Sequence, residues 1–188
     1  MLNRSGLVVL ALLASIPICG RAQVQDESLR VFLRGIGPFQ IGMTLDQARE
    51  AMDEPESFLV QALRQRSQLP REPDGTACGY LVSSRLPEGI DLMFQYGRLV
   101  RIDIREGVIP TASGAMIGDS ESRILEIYGD RIAVRQHHYP PIGAHYMIFM
   151  PEDAQDSEYS LLFETDGSVV TRYRVGTRQA VEAAEGCA

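Results

Sequence analysis

Apolar residues recur along this chain in two matched stretches. Ile41-Gly42-Met43-Thr44 is followed by apolar Ala48 and Met52, and 76 positions on, Ile117-Gly118-Asp119-Ser120 is followed by Ile124 and Tyr128. Side chains four apart stack on one helix face, so each stretch predicts a short helix with one buried stripe. Thr44 and Gln47 have the spacing of a capping box, which places the first helix at Leu45 to Met52 with Leu45, Ala48, Ala51 and Met52 inward. In the second stretch Ser120 caps, Ile124, Leu125, Ile127 and Tyr128 face inward, and Gly129 ends the helix. A further amphipathic run, Glu56 to Arg66, carries Phe58, Leu59, Ala62 and Leu63 on one face. Gly42 and Gly118 read as backbone devices at turns and not as phosphate binders.

After each helix the pattern shortens to a period of two, the signature of half-buried strands. Cys78 to Val82, Ile90 to Gln95 and Leu99 to Arg105 are predicted strands in the first half, with Val100, Ile102 and Ile104 alternating with Arg101, Asp103 and Arg105. In the second half the strands are Ile132 to Val134, His145 to Met150, Tyr159 to Glu164 and Ser168 to Val175, where Val169, Tyr173 and Val175 alternate with Val170, Arg172 and Arg174. Tyr96-Gly97 and Asp166-Gly167 supply the hairpin turns, and the prolines and glycine of Leu69 to Gly75 mark a loop. A sheet with one apolar face needs helices to cover it. The expected architecture is therefore α+β: two tandem helix-plus-antiparallel-sheet units, residues 23–107 and 108–188, packed as one domain. Its helices lie on one side, with an open polar sheet surface on the other.

The N-terminus adds a compartment. Arg4, an apolar run from Gly6 to Ile18 and the small residues of Gly20-Arg21-Ala22 form the three parts of an export signal, with cleavage expected after Ala22. Lipid attachment at Cys19 is the rival, disfavoured by Ile18 in front of it, and the apolar run is shorter than the ~20 residues that span a bilayer. Loss of Arg4 and Arg21 leaves 16 of the 18 basic residues against 25 acidic ones, a net charge of −9. Such a surface repels phosphate, so nucleic acid is not an expected partner. The cysteines left after cleavage are Cys78 and Cys187. In an oxidising compartment a bridge between them is expected, worth on the order of 2–4 kcal/mol through loop closure, with two buried thiols as the alternative.

Candidate chemistry is sparse. His137, His138 and His145, near Asp130, Glu152 and Asp153, are residue types that suit zinc or copper. Adjacent strand residues point to opposite faces, however, and Tyr139-Pro140-Pro141 separates His138 from His145, so no ligand spacing emerges. There is no Gly-x-Ser-x-Gly elbow, and carboxylate pairs such as Asp53 with Glu54 or Asp153 with Asp156 read as solvated loop acids. No cofactor is implied. What remains is the outer sheet face, where Arg101, Asp103, Arg105, Arg172 and Arg174 form a locally basic stripe on an acidic chain, with Tyr80, Tyr96 and Tyr146 near the strand edges. Arg and Tyr are enriched where proteins bind proteins, although a solvated face with cross-strand ion pairs reads equally well from the pattern.

The segment Ile41-Gly42-Met43-Thr44-Leu45-Asp46-Gln47-Ala48 resembles the Gly-Met-Thr start of small exported helix-plus-sheet modules. These include the SmpA/BamE type of outer-membrane assembly lipoproteins and the tandem-repeat β-lactamase inhibitor proteins. The second half, from Ile117-Gly118-Asp119-Ser120 through Tyr128-Gly129-Asp130, Gly143-Ala144-His145-Tyr146 and Phe163-Glu164-Thr165-Asp166-Gly167 to Glu185-Gly186-Cys187, is similar to a family of exported bacterial proteins of unassigned activity. These resemblances imply fold and location only. The expectation is a non-enzymatic periplasmic or secreted module that binds a protein partner or cell-envelope component through its sheet face. The alternatives are an inhibitor of a secreted or periplasmic enzyme, and a metal-dependent enzyme centred on His137, His138 and His145.

Overall fold

A computed structural model of the chain describes residues 29–52, 78–81, 86–138 and 142–187. The export signal at residues 1–22, the helix expected from Glu56 to Arg66, the loop from Leu69 to Gly75, and Asp53 with Glu54 lie outside the described residues.

Both capping residues start helices. Thr44 Oγ1 accepts from the Gln47 N–H at 3.2 Å while Gln47 Oε1 accepts from the Thr44 N–H at 2.8 Å, and helix α1 runs Leu45–Met52. Ser120 Oγ accepts from the Arg123 N–H at 3.1 Å at the head of α2, Glu121–Tyr128. These bonds satisfy amide groups that the first helical turn cannot pair by itself. Gly129, at φ 63°, ends α2 by donating its N–H to the Leu125 carbonyl. Ala48 and Met52, and likewise Ile124 and Tyr128, are buried. Ala51 and Leu125, expected to point inward, are exposed, because the stripe each short helix buries is only two residues wide.

Each motif is also tied to the hairpin that follows it. Gly42 donates to Leu99 O at 2.7 Å and Leu99 donates back to Met43 O at 2.9 Å; Gly118 donates to Val170 O and Val170 back to Asp119 O, both at 2.8 Å. The turn places Gly42 at φ 93° and Gly118 at φ 92°, a left-handed conformation that a Cβ disfavours.

Among the described residues seven strands form one antiparallel sheet: β4 (Cys78–Leu81), β5 (Ile90–Gln95), β6 (Arg98–Ile104), β7 (Ile132–Gln136), β8 (His145–Phe149), β9 (Tyr159–Thr165) and β10 (Val170–Thr177). Their spatial order is β4-β5-β6-β10-β9-β8-β7, so β6 and β10 meet at a central seam. Ahead of them β1 (Val31–Phe32), β2 (Gly35–Ile36) and β3 (Phe39–Gln40) make a small meander. The protein is α+β and mostly sheet.

Two bulges correct the strand alternation. Met93 pairs with Arg101 but Phe94 with Leu99, which leaves Val100 as the extra residue in β6; Thr165 pairs with Val170 but Glu164 with Arg172, which leaves Thr171 extra in β10. An extra residue shifts the side-chain alternation by one. Leu99 and Val170 therefore turn inward in front of Ile102 and Tyr173, and it is Val170, not Val169 as the simple alternation suggests, that joins the core. The main core packs α1, α2 and the meander against one sheet face, through Leu92, Phe94, Ile102, Ile104, Phe163, Tyr173 and Val175. Tyr173 is fully buried and donates its hydroxyl proton to Ile109 O at 2.6 Å, and burial raises its pKa.

The opposite face is not open. A third helix, α3 (Arg178–Glu182), follows β10 directly, folds back over β9, β10 and β6, and buries Ala180 and Val181. Val181 joins Tyr146, Ile148 and Leu162 in a second, smaller apolar cluster. Beyond it a disulfide joins Cys78 to Cys187, with Cα atoms 5.2 Å apart. No helix among the described residues is long and apolar enough to cross a membrane.

Candidate functional site

The face beneath α3 is built in register rows. Asp103 on β6 pairs with Arg174 on β10, which pairs with Leu162 on β9. One row over, Arg172 pairs with Glu164, Glu164 with Tyr146, and Tyr146 with Arg135 on β7. Alternation along each strand thus collects a charged stripe on one side of a sheet whose other side is the apolar core.

The structure brings Arg101, Asp103, Arg174 and Tyr146 together on this face but covers them. They retain 3%, 7%, 5% and 7% of their accessible surface, whereas a solvent-facing stripe was expected. The reason is the segment 178–187, which provides carbonyl acceptors for the arginines as it crosses. Arg101 donates through Nη1 to Ala180 O at 2.9 Å, with longer contacts to the carbonyls of Ala183 and Glu185, through Nε to Asp103 Oδ2 at 3.0 Å, and through Nη2 to the Tyr80 hydroxyl at 2.7 Å. Arg174 donates through Nε to Val181 O at 2.7 Å and through Nη1 to Glu164 Oε1. Its Nη2 is buried and has no hydrogen-bond partner among the described residues. A guanidinium has five donors in a planar fork, so it can bond a carboxylate and a backbone carbonyl together.

Burial sets the electrostatics. It pushes the Asp103 carboxyl above its ordinary value, and the neighbouring Arg101, with smaller help from Arg174 and Arg105, pulls it back only in part. Burial also lowers the Arg174 pKa, against Glu164, and raises those of Tyr80 and Tyr146. Covering ions in this way is expensive unless their partners are well placed. Here the carboxylates and tail carbonyls are those partners.

Arg105 and Arg172 stay half-exposed, with side-chain exposures of 47% and 56%. Arg105 pairs with Asp91 Oδ2 at 2.8 Å and lies over the Tyr80 ring; Arg172 pairs with Glu164 Oε2 at 2.9 Å. Glu164 also receives His137 Nε2 at 3.4 Å, and the His137 ring packs on Tyr146 with centroids 4.2 Å apart. Glu164 is thus the hub of the exposed end of the stripe. From the sequence it had no role beyond strand and motif, because its pairing with Arg172 follows from the bulge at Thr171.

The histidines are used separately. His137 and His138 both contact the Tyr146 ring, whereas His145 Nδ1 bonds Glu121 Oε1 at 2.8 Å, and Glu121 also accepts from the Thr165 hydroxyl. Among the described residues no three His, Cys, Asp or Glu side chains are placed to share a metal ion. Asp153 accepts from the Gln155 N–H at 2.8 Å and caps a short 3-10 turn, and Asp156 pairs with Arg34.

The tail is fitted closely. A Cβ on Gly186 would overlap the Tyr80 hydroxyl, so a larger residue there would require Tyr80 to shift from its bond to Arg101. No protein-family model matches the chain, and neither curated proteins nor solved structures yield a match.

Proposed function

We propose that this protein is a non-enzymatic binding or envelope-associated module of the exported type, periplasmic or secreted, and that it touches its partner through the uncovered end of the polar sheet face. The observation that carries the reading is Arg172. It is fixed by Glu164 at 2.9 Å yet keeps more than half of its side chain in solvent, beside His137 and Tyr146 on a rigid sheet. A charge held in place beside aromatic surface loses little freedom on binding, which is the property of residues that dominate interfaces. The expected partner is a protein or envelope component with acidic or carbonyl-rich surface. Arg105, over Tyr80 at the far side of the tail, is the second exposed cation of the stripe.

The same reading takes the chain as two tandem helix-plus-sheet units. Its support is the pairing of Gly42 with Gly118, Thr44 with Ser120 and Leu99 with Val170 in the same local bonds, and of the Val100 and Thr171 bulges one residue later. An export address accords with the disulfide, since such bonds persist in oxidising compartments.

Cross-linking in the native envelope with wild type and Arg172→Glu tests the contact surface. Capture should fall at least tenfold in the variant while its far-ultraviolet circular dichroism stays unchanged. Equal capture would dismiss the uncovered stripe as the contact surface.

A further inference from the structure

The segment that covers the polar face is anchored in a way that a change in redox state can undo. It crosses the sheet as α3, runs on through Ala183 and Glu185, and ends at Cys187, whose bond to Cys78 joins the last described residue to the edge strand β4. Both cysteines are partly exposed, so the bond is open to attack by another thiol.

Two opposed sets of interactions act on the cover. Val181 packing on Tyr146, Ile148 and Leu162, and the tail carbonyls bonded to Arg101 and Arg174, hold it down. Against it stand two guanidiniums kept from water, one with an Nη2 that has no partner among the described residues, and a buried Asp103 carboxyl. Lifting the cover rehydrates all three. The covalent tether is the element that keeps released segments at high local concentration over the face, and without it the hydration of the buried ions favours opening.

We propose that residues 178–187 are a redox-released strap, and that reduction of the Cys78–Cys187 bond uncovers Arg101, Arg174, Tyr80 and Tyr146 while the sheet beneath stays folded. The reductant is a dithiol. Its thiolate attacks one sulfur of the bond and forms a mixed disulfide, the other cysteine leaves as thiolate and takes up a proton, and the second thiol of the reductant then displaces the remaining cysteine. Two electrons and two protons pass to Cys78 and Cys187, and the reductant becomes a disulfide. The oxidised protein then presents only the Arg172 and Arg105 ends of the stripe, and the reduced protein presents all of it. As a control on partner contact this rests on the proposed role of the polar face; the opening itself does not.

Hydrogen exchange read by mass spectrometry, together with phenylglyoxal modification of arginines, tests the strap on the full chain without any partner. Wild type is measured oxidised and after dithiothreitol, and Cys187→Ser is measured beside it. On reduction, and in the variant, amides 179–187 should lose at least tenfold in protection and Arg101 and Arg174 should become reactive. Amides of β9 and β10 that face their neighbours should stay protected, falling by no more than the loss in global stability carries. Unchanged protection of the tail would overturn the proposal, because its hydrogen bonds would then suffice without the tether. Complete loss of protection across β5, β6, β9 and β10 would equally overturn it, because the bond would then staple the whole sheet. Partner capture that fails with Arg172→Glu or persists despite it leaves both of these readouts untouched, so the contact reading and the strap stand or fall separately.

Discussion

Asp103 and Arg174 face each other across the seam between β6 and β10, buried, with each one's ion pair made to a different partner: Asp103 to Arg101, Arg174 to Glu164. The seam thus joins the two ends of the sheet through alternating charges and not through an apolar pair alone. In such a chain the loss of one member strands its neighbours. Arg174→Ala leaves Glu164 with only the half-exposed Arg172 and His137, and removes a cation facing Asp103. The expected loss is about 3 kcal/mol, the size seen when one partner of a buried ion pair is removed. Arg172→Ala, at a half-exposed pair, should cost under about 1 kcal/mol. Urea unfolding of the two variants measures the difference, and equal values would show that the seam is not the energetic centre of the polar face.

The disulfide should matter in a different way. Its cysteines are separated by 109 residues, and a loop of that order restricts the unfolded chain by about 5 kcal/mol in the chain-entropy model, with measured bridges more often at ~2–4. Cys187→Ser should therefore unfold at lower urea than oxidised wild type, and reductant should bring the wild type down to the variant. Coincident curves for oxidised and reduced wild type would contradict a stabilising bridge.

Much of the architecture was legible because local rules agreed with the tertiary structure. Leu45–Met52 forms the helix that the Thr44 and Gln47 spacing predicts, Ile90–Gln95 is the strand read from its pattern, and Cys78 does bond Cys187. The misreadings have physical causes. Val169 was placed inward because an alternation rule has no means of foreseeing a bulge, and the extra residue Thr171 hands that position to Val170. Arg101 and Arg174 read as solvent-facing because charged residues alternating with apolar ones are normally wet. Their burial depends on α3, a five-residue helix that has no side-chain cap and so leaves almost no local signature. The pair Ala180-Val181 was its one apolar trace. A covering element of that size is specified by what it covers, and a pattern read along one segment does not contain that information.

The caps offer a comparison between equivalent positions. Thr44→Ala removes the acceptor for the Gln47 N–H in a reciprocal box, whereas Ser120→Ala removes the acceptor for the Arg123 N–H and a surface hydroxyl contact with Ser122 at 2.8 Å. Each should cost about 1 kcal/mol, and the two losses should be alike, because Gln47 Oε1 accepts from the backbone N–H of residue 44, a bond that survives the change. Gly118→Ala should be costlier than a usual surface change, since φ 92° strains a residue with a Cβ while the added carbon itself meets nothing within 4 Å. Thermal unfolding of the three variants orders these effects, and a Gly118→Ala protein as stable as wild type would show that the turn relaxes.

Two acids should give stability slopes of opposite sign in the acid range. Asp166 at the β9–β10 turn accepts the Ser168 and Val169 N–H groups, each at 2.9 Å, and these bonds hold its pKa below the ordinary 3.8. Its contribution is present above that value and is lost as pH falls through the lower folded one, because the unfolded chain there binds the proton more readily. Asp103 behaves in reverse. Burial raises its folded pKa above 3.8, so the folded chain binds the proton more readily, and stability falls as pH rises from 3.8 through the folded value before levelling off. Asp166→Asn should therefore flatten the stability profile below pH 3.8, and Asp103→Asn should remove a decline just above it. Unfolding free energies measured in urea at closely spaced pH values separate the two windows. A Asp103→Asn profile parallel to wild type above that point would mean that Arg101 fully offsets the burial of the carboxyl, and that the covered face carries its charges without strain.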